Sequence, residues 1–426
     1  MWRQVHKTVV ALAASLIAFT SPAAVNGSAD TRSGIFDPAF RSMQIYQGDN
    51  RLGFPIANLG SYDTITLSFD ELAEDRRYLR YRLIHCNSDW SPSQLVESEY
   101  IDGFNIADIE DYALSQATTV HYVNYKLSLP NKDMTPMLSG NYLIQVFDEN
   151  NPDETLLQAR FMLNEGTAAI ESALTSRTDI DYNDSHQQLS VTVDTERSGV
   201  ADPFNDLRVV IVQNGRTDNM ASLQQPLRIS GKKAVYEHLR PLIFPAGNEY
   251  RRMETVSVHY PGMGVDEIAY SHPYYHIRLM TDSPRNDTPY TYDSTQHGRY
   301  VIREYNSADP DTEADYAITH FSLQIPEQSG ADIYLDGDFT RRRFDAESRM
   351  TYDPTAGAYT KAVLLKQGAY NYQYLAVPKG ASTGYTSAIE GDKYQTVNEY
   401  LILVYHRAPM SRYDRLIGVS VLYSGH

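Results

Sequence analysis

The sequence predicts an all-β protein built from tandem β-sandwiches. Three observations point there. Apolar and polar residues alternate in short runs, and convincing helical stripes are scarce. Clusters of Gly, Pro, Asn and Asp punctuate those runs, notably Asp148 to Asp153. Tyrosine outnumbers phenylalanine 33 to 13, which suits half-exposed strands whose rings pack while their hydroxyls stay wet. Many short strands at regular spacing indicate sandwiches rather than one large sheet.

Residues 1–29 read as a secretory signal peptide. Arg3 and Lys7 form a positive start, Val9 to Thr20 is a short apolar run, and small residues follow through Ala29. The run is too short for a membrane span. No cysteine stands at the cleavage site, so no lipid anchor is expected. Removing Arg3 and Lys7 takes the net charge from −17 to −17 − 2 = −19. A chain that acidic should repel nucleic acid and anionic lipid. The single cysteine, Cys86, forms no internal disulfide, so burial must supply stability. The remaining chain of about 400 residues is long enough for several domains.

The first sandwich is placed at 30–165. Its strands are read at 41–46, 64–69, 78–85, 122–129, 142–147 and 157–163, with Leu72 to Arg80 a charged loop entering a strand. The second is placed at 166–300, with strands at 188–193, 207–213, 234–239, 255–260 and 274–280. Residues 282–315 are acidic and interrupted by prolines, and 301–315 is read as a connector. The third sandwich is placed at 316–426. A weak repeat supports this division. Leu138 to Tyr142, Leu365 to Tyr370 and Phe244 to Tyr250 each place an apolar residue and a glycine turn before a tyrosine that opens a strand. That pattern resembles the tyrosine corner of immunoglobulin-like and fibronectin-like sandwiches.

Within the first sandwich, the strand at 78–85 runs into Asn87-Ser88-Asp89, a turn, and then Trp90, Ser91 and Pro92. Two readings of this loop stand. Trp90 packs on the sandwich edge and Cys86 is a small core residue, or the loop, with Tyr100, Ile101, Asp102, Gly103 and Phe104 behind it, is a contact surface. The C-terminal segment with Arg412, Tyr413 and Arg415 carries the same duality: an interface anchor, or a latch for the chain end. Aromatic residues beside charged and polar ones are the composition of interface anchors.

Catalytic signatures are lacking. No His-Glu-x-x-His spacing, Gly-x-Ser-x-Gly elbow, phosphate loop or dinucleotide fingerprint occurs. His272 and His276 flank Pro273 in a strand pattern, which does not bring their rings together. Asp336-Gly337-Asp338 and the acids of 309–315 lack the ligand order of a calcium loop and read as solvated turns. No enzyme, metal or cofactor is expected.

Several strings carry a resemblance. Ile84 to Ser93, Glu99 to Phe104, Leu138 to Tyr142, Val212 to Arg216, Asp309 to Tyr316 and Ser411 to Gly418 are similar to strings of a Bacteroidetes family, the type IX secretion system plug proteins. The matches span nearly the whole chain after residue 29. The resemblance implies a non-enzymatic periplasmic protein, held at the outer membrane by the secretion system's translocon β-barrel and sealing that barrel's periplasmic mouth. It implies no membrane insertion and no small-molecule substrate. The partner surface expected from the aromatic and charged composition of the two segments includes Asn87, Asp89, Trp90, Ser91, Tyr100, Asp102, Arg412, Tyr413 and Arg415.

The third sandwich has a second likeness. Tyr334 to Phe339, Met350 to Asp353, Gly357 to Tyr359 and Gly368 to Tyr374 resemble glycogen-binding modules of the early-set immunoglobulin type. Those modules stack sugars on tryptophan, but here Thr340-Arg341 stand at the expected position. The alternative function, a periplasmic or surface glycan-binding protein, rests on this module.

Overall fold

The computed structural model describes residues 30–425, so the expected signal peptide lies outside the described residues. Strands dominate. Helix among the described residues is limited to the turns Glu97–Tyr100 and Pro310–Glu313 and two 3-10 turns. No helix among them is long and apolar enough to cross a membrane.

The strands form three two-sheet sandwiches. In the first, Gly140–Asp148 lies between Leu79–Cys86 and Asn151–Asn164. The facing sheet runs Phe40–Gln47, Ile65–Glu71, Val123–Leu129 and Asp111–Leu114. Their alternation turns Phe69, Tyr81, Leu83, Ile144 and Phe161 into one dry core. Burial of each such side chain contributes roughly 1.5–3 kcal/mol.

The next two sandwiches interleave. Leu207–Gln213 pairs with Glu399–His406, which pairs with Arg415–Tyr423. Arg251–Glu254 and Tyr300–Ile302 both pair with Gly368–Pro378. Val265–Ser271 and Tyr274–Leu279 join Tyr316–Leu323 and Ala358–Lys366. The sheets therefore cross the boundaries expected at 300 and 315. The third sandwich begins at Arg251 and is inserted into the middle one, whose last two strands are the end of the chain. Glu399–His406 is buried at every position, the signature of a central strand. It needs neighbours on both sides, and sequence proximity does not choose them.

Thr255 to Tyr260, expected as a strand, is irregular. Ser257 Oγ accepts from the N–H groups of His259 and Tyr260 at 3.1 and 3.2 Å, a local turn that outcompetes the ladder. Two of the three repeats form the tyrosine corner. Tyr142 Oη donates to the Leu138 carbonyl at 2.8 Å, and Tyr370 Oη donates to that of Lys366. In the third, the Tyr250 hydroxyl instead accepts from Arg342 and Gln373, each at 3.1 Å.

Candidate partner-binding site and the joints that carry it

The loop after Leu79–Cys86 and the segment before Arg415–Tyr423 meet. Asn87 N–H donates to the Ser91 carbonyl at 2.8 Å. Asp89 Oδ1 accepts from Ser91 N–H at 3.0 Å and Ser91 Oγ at 2.5 Å. This tight turn places Trp90 at φ 67°, a conformation uncommon for a large residue. Arg160 stacks 4.2 Å from the Trp90 ring. The indole also packs on an apolar seam of Met162, Val210, Leu403 and Leu416 that joins the first and middle sandwiches.

Ser88 is the hinge pin of this joint. Its N–H and hydroxyl both donate to Asp414 Oδ2, at 2.8 and 2.7 Å, and all three groups are buried. Gly140 lies against the same place. A Cβ there would sit 3.0 Å from the Asp414 carbonyl oxygen and 2.9 Å from His85 Nε2, and its φ is +129°. The His85 ring is enclosed by Tyr100, Tyr142 and Tyr413 at 5.0–5.7 Å. Burial lowers its pKa, so it is held neutral. Cys86 is fully buried, as a small core residue, and burial pushes its thiol up to about 12, so it is held protonated.

The nine expected residues thus divide. Tyr100 is buried and donates to the Leu83 carbonyl at 3.2 Å. Asn87, Trp90 and Tyr413 are half-buried against their own chain. Arg415 Nε donates to Glu165 at 2.9 Å, and that pairing outweighs burial to hold the Glu165 carboxyl below its ordinary range. Asp89, Ser91, Asp102 and Arg412 face solvent. Arg412 also pairs with Glu99 in the turn Glu97–Tyr100. Asn105 donates to Glu97 in the same turn at 2.7 Å. Val96 and Phe104, which flank that turn in sequence, are 60% and 80% exposed, and Met410, two residues before Arg412, is 100% exposed. Phe104 belongs to the contact surface expected from the sequence, whereas Val96 and Met410 were passed over because an apolar residue inside a polar loop reads as packed.

A second joint links the first and third sandwiches through Asp309 to Tyr316. Arg51 grips Asp311 with two bonds, at 2.9 and 2.5 Å, and Lys126 adds a third contact at 2.9 Å. Burial pushes the Asp311 carboxyl up, but these cations more than offset it and hold it below its ordinary range. Asp315 accepts from the N–H groups of Thr119 and Val120, at 2.7 and 3.0 Å. Tyr316 Oη and Lys366 Nζ both donate to Asp70 Oδ2, at 2.6 and 2.7 Å. Lys366 lies 4.0 Å over the Tyr122 ring, and burial lowers its pKa. Asp311 and Asp315, expected in a solvated connector, are therefore buried in a clamp, while Asp309 stays exposed. The clamp's cationic partners lie far away in sequence, so the acids alone read as solvated.

The third sandwich meets the middle one through Arg299 and Glu399, 2.6 Å apart, and through Arg216, which donates to the Gly384 carbonyl at 2.6 Å. Asp336 was expected in a solvated turn. It is buried instead, accepts from Gln373 at 2.9 Å and lies 3.4 Å from Arg342. Thr340 and Arg341, at the sugar-stacking position of the glycogen-binding likeness, are buried and half-buried, and neither offers a flat ring to solvent. His276 and His320 do stack, with Nδ1 and Nε2 2.9 Å apart. No group of three or more potential His, Cys, Asp or Glu metal ligands occurs among the described residues.

Comparison with known proteins follows this geometry. Residues 40–165 match the model of the type 9 secretion system plug protein first domain. A crystal structure of a hypothetical protein from Parabacteroides merdae superposes with a TM-score of 0.91 at 42% identity, covering 92% of this chain and 99% of that one. An alkylpurine DNA glycosylase from Pseudomonas fluorescens, bound to DNA, aligns at 13% identity over 29% of each chain with a TM-score of 0.19. An Escherichia coli alpha-2-macroglobulin fragment aligns at 8% identity over 49% of this chain and 99% of its own, with a TM-score of 0.15. Neither of these last two scores carries a fold argument. No curated protein matches. With its first sandwich matched by the family model and nearly its whole length shared with the Parabacteroides protein, the chain belongs to the type 9 secretion system plug protein family.

Proposed function

We propose that this protein is a non-catalytic periplasmic stopper that docks on the secretion system's outer-membrane translocon barrel and closes its periplasmic mouth. The observation that carries this reading is where the family-like strings lie. Ser88, Asn141, Val212, Asp311 and Asp414, one from each of five strings, are all at joints between sandwiches. Such strings describe a fused body rather than a catalytic centre. The largest known outer-membrane barrels reach about 36 strands and enclose a wide lumen. A stopper for such a pore must not bend at its own linkers, and joints of this kind suppress bending.

The docking face in this proposal flanks the turn Glu97–Tyr100. Phe104, Val96 and Met410 supply apolar anchors, and Asp89, Asp102 and Arg412 form a polar rim. Trp90, Tyr100 and Tyr413 hold that face from below. Pull-down from outer-membrane extract tests the reading. A very large barrel should co-purify with the wild type, and Phe104→Ser with Met410→Ser should reduce recovery at least tenfold without lowering the melting temperature. Full recovery by the double variant would move the docking face elsewhere. If no large barrel co-purifies with the wild type, and cells lacking the protein stay impermeable to bulky antibiotics, the stopper reading fails.

A further inference from the structure

The joint between the first and third sandwiches sets a primary amine against a carboxyl group with water excluded. Lys366 Nζ lies 2.7 Å from Asp70 Oδ2, and the two side chains are 2% and 1% exposed. One belongs to Ala358–Lys366 and the other to Ile65–Glu71, and 296 residues separate them in sequence. Folding thus supplies the approach that two free reactants would have to make by diffusion. A near-attack arrangement needs the reacting atoms ~3–3.5 Å apart. With Nζ already in contact with Oδ2, a small rotation brings it to the carboxyl carbon Cγ.

The groups around the pair match what acyl transfer to an amine requires. Asn124 Nδ2 donates to the other carboxyl oxygen, Asp70 Oδ1, at 2.7 Å. A donor there stabilises the charge that builds on Oδ1 as nitrogen adds to Cγ. Tyr316 Oη donates at 2.6 Å to Oδ2, the oxygen that must leave, and Ser42 Oγ stands 2.7 Å from that hydroxyl. The Asp311 carbonyl accepts from Nζ at 2.7 Å and orients the amine. The Asp311 carboxylate does not compete for it, because Arg51 and Lys126 hold that group. The rings of Tyr122 and Tyr316, 4.0 and 5.8 Å from Nζ, screen it from water. Burial lowers the pKa of Lys366, which favours the uncharged, nucleophilic amine.

We propose that Lys366 and Asp70 condense to an amide, a covalent bond between the first and third sandwiches that closes after folding. The newly folded protein holds the ion pair. A proton passes from Nζ to Oδ2 along their hydrogen bond and leaves an amine beside a carboxylic acid, the neutral form that a dry site favours. Nζ adds to Cγ, and the electron pair of the carbonyl moves to Oδ1. Nζ then gives a second proton, relayed by Tyr316 Oη, to Oδ2. The Cγ–Oδ2 bond breaks, water departs and Oδ1 becomes the amide carbonyl. One ammonium and one carboxylate become one amide and one water, so no oxidant or co-reactant enters. The bond does not depend on the docking role.

Intact-mass measurement and peptide mapping of the purified protein, followed over days at neutral pH, test this. The wild type should lose the mass of one water and, after proteolysis, yield a branched peptide in which Lys366 carries the segment around Asp70. Lys366→Arg keeps the positive charge but offers no primary amine, and it should keep its full mass. Tyr316→Phe keeps the ring and removes the hydroxyl, and it should form the branched peptide at least tenfold more slowly. If either variant does not fold, the wild-type map still decides. A wild type that keeps the full mass its sequence gives, or that loses water without a branched peptide joining these two residues, would overturn the bond. An unchanged rate in folded Tyr316→Phe would overturn the part given to its hydroxyl.

Discussion

The two joints of the first sandwich are built on opposite physics. Against the third sandwich it sets buried charge: Lys366 and Asp70 are 2% and 1% exposed. Against the middle sandwich it sets an apolar seam with one buried carboxylate, Asp414, and its charged pairs stay wetter, with Arg415 and Glu165 31% and 16% exposed. An apolar seam stabilises by area and tolerates small slides. A buried ion pair is directional. It adds little net stability over a hydrophobic replacement, but it is severely punished when half of it is removed. On this account the charged joint sets the angle between sandwiches and the apolar joint holds them together.

The largest effect expected from breaking that contrast is Lys366→Met. It leaves Asp70 buried and short of its cation, and should cost about 3–5 kcal/mol, read from the shift in denaturation midpoint. Lys366→Met with Asp70→Asn should recover much of that loss. A single-variant cost under ~1 kcal/mol would mean that the joint is solvated.

Acid should come next. His297 sits between the third and middle sandwiches, 6.0 Å from the Tyr423 ring, and burial lowers its pKa to about 4 from an ordinary 6.5. The folded protein holds the ring neutral, whereas the unfolded chain protonates it below about pH 6.5. Stability from this group is therefore complete above pH 6.5 and is lost as pH falls to about 4, to the extent of about 3 kcal/mol. His85 acts in the same direction. His297→Gln should flatten the stability profile over that window, and an unchanged profile would locate the acid sensitivity elsewhere.

At the apolar joint, Asp414→Ala leaves two donors of Ser88 unpaired and should cost about 1–3 kcal/mol. Arg412→Ala removes only a solvent-facing pair, and the midpoint should not move measurably.

How much of this was legible depended on range. The strands around Tyr142 and Tyr370 were, because alternation and the tyrosine corner are local patterns spanning a few residues. The partners of Glu399–His406 were not, since nothing in that apolar run names Leu207–Gln213 as its neighbour. Asp311 read as solvent-facing because Arg51 is 260 residues away. The loop at 87–91 and the segment at 412–415 were singled out separately. Their composition gave no sign that Ser88 and Asp414 meet, nor that Met410 would be fully exposed.

The central claim is that interleaved strands and buried joints fuse the three sandwiches into one body, and from Thr31 onward the chain does form one compact unit. Differential scanning calorimetry tests it most directly. The account expects a single transition whose calorimetric and van't Hoff enthalpies agree. Two or three resolved transitions, with the first sandwich melting apart from the others, would contradict it.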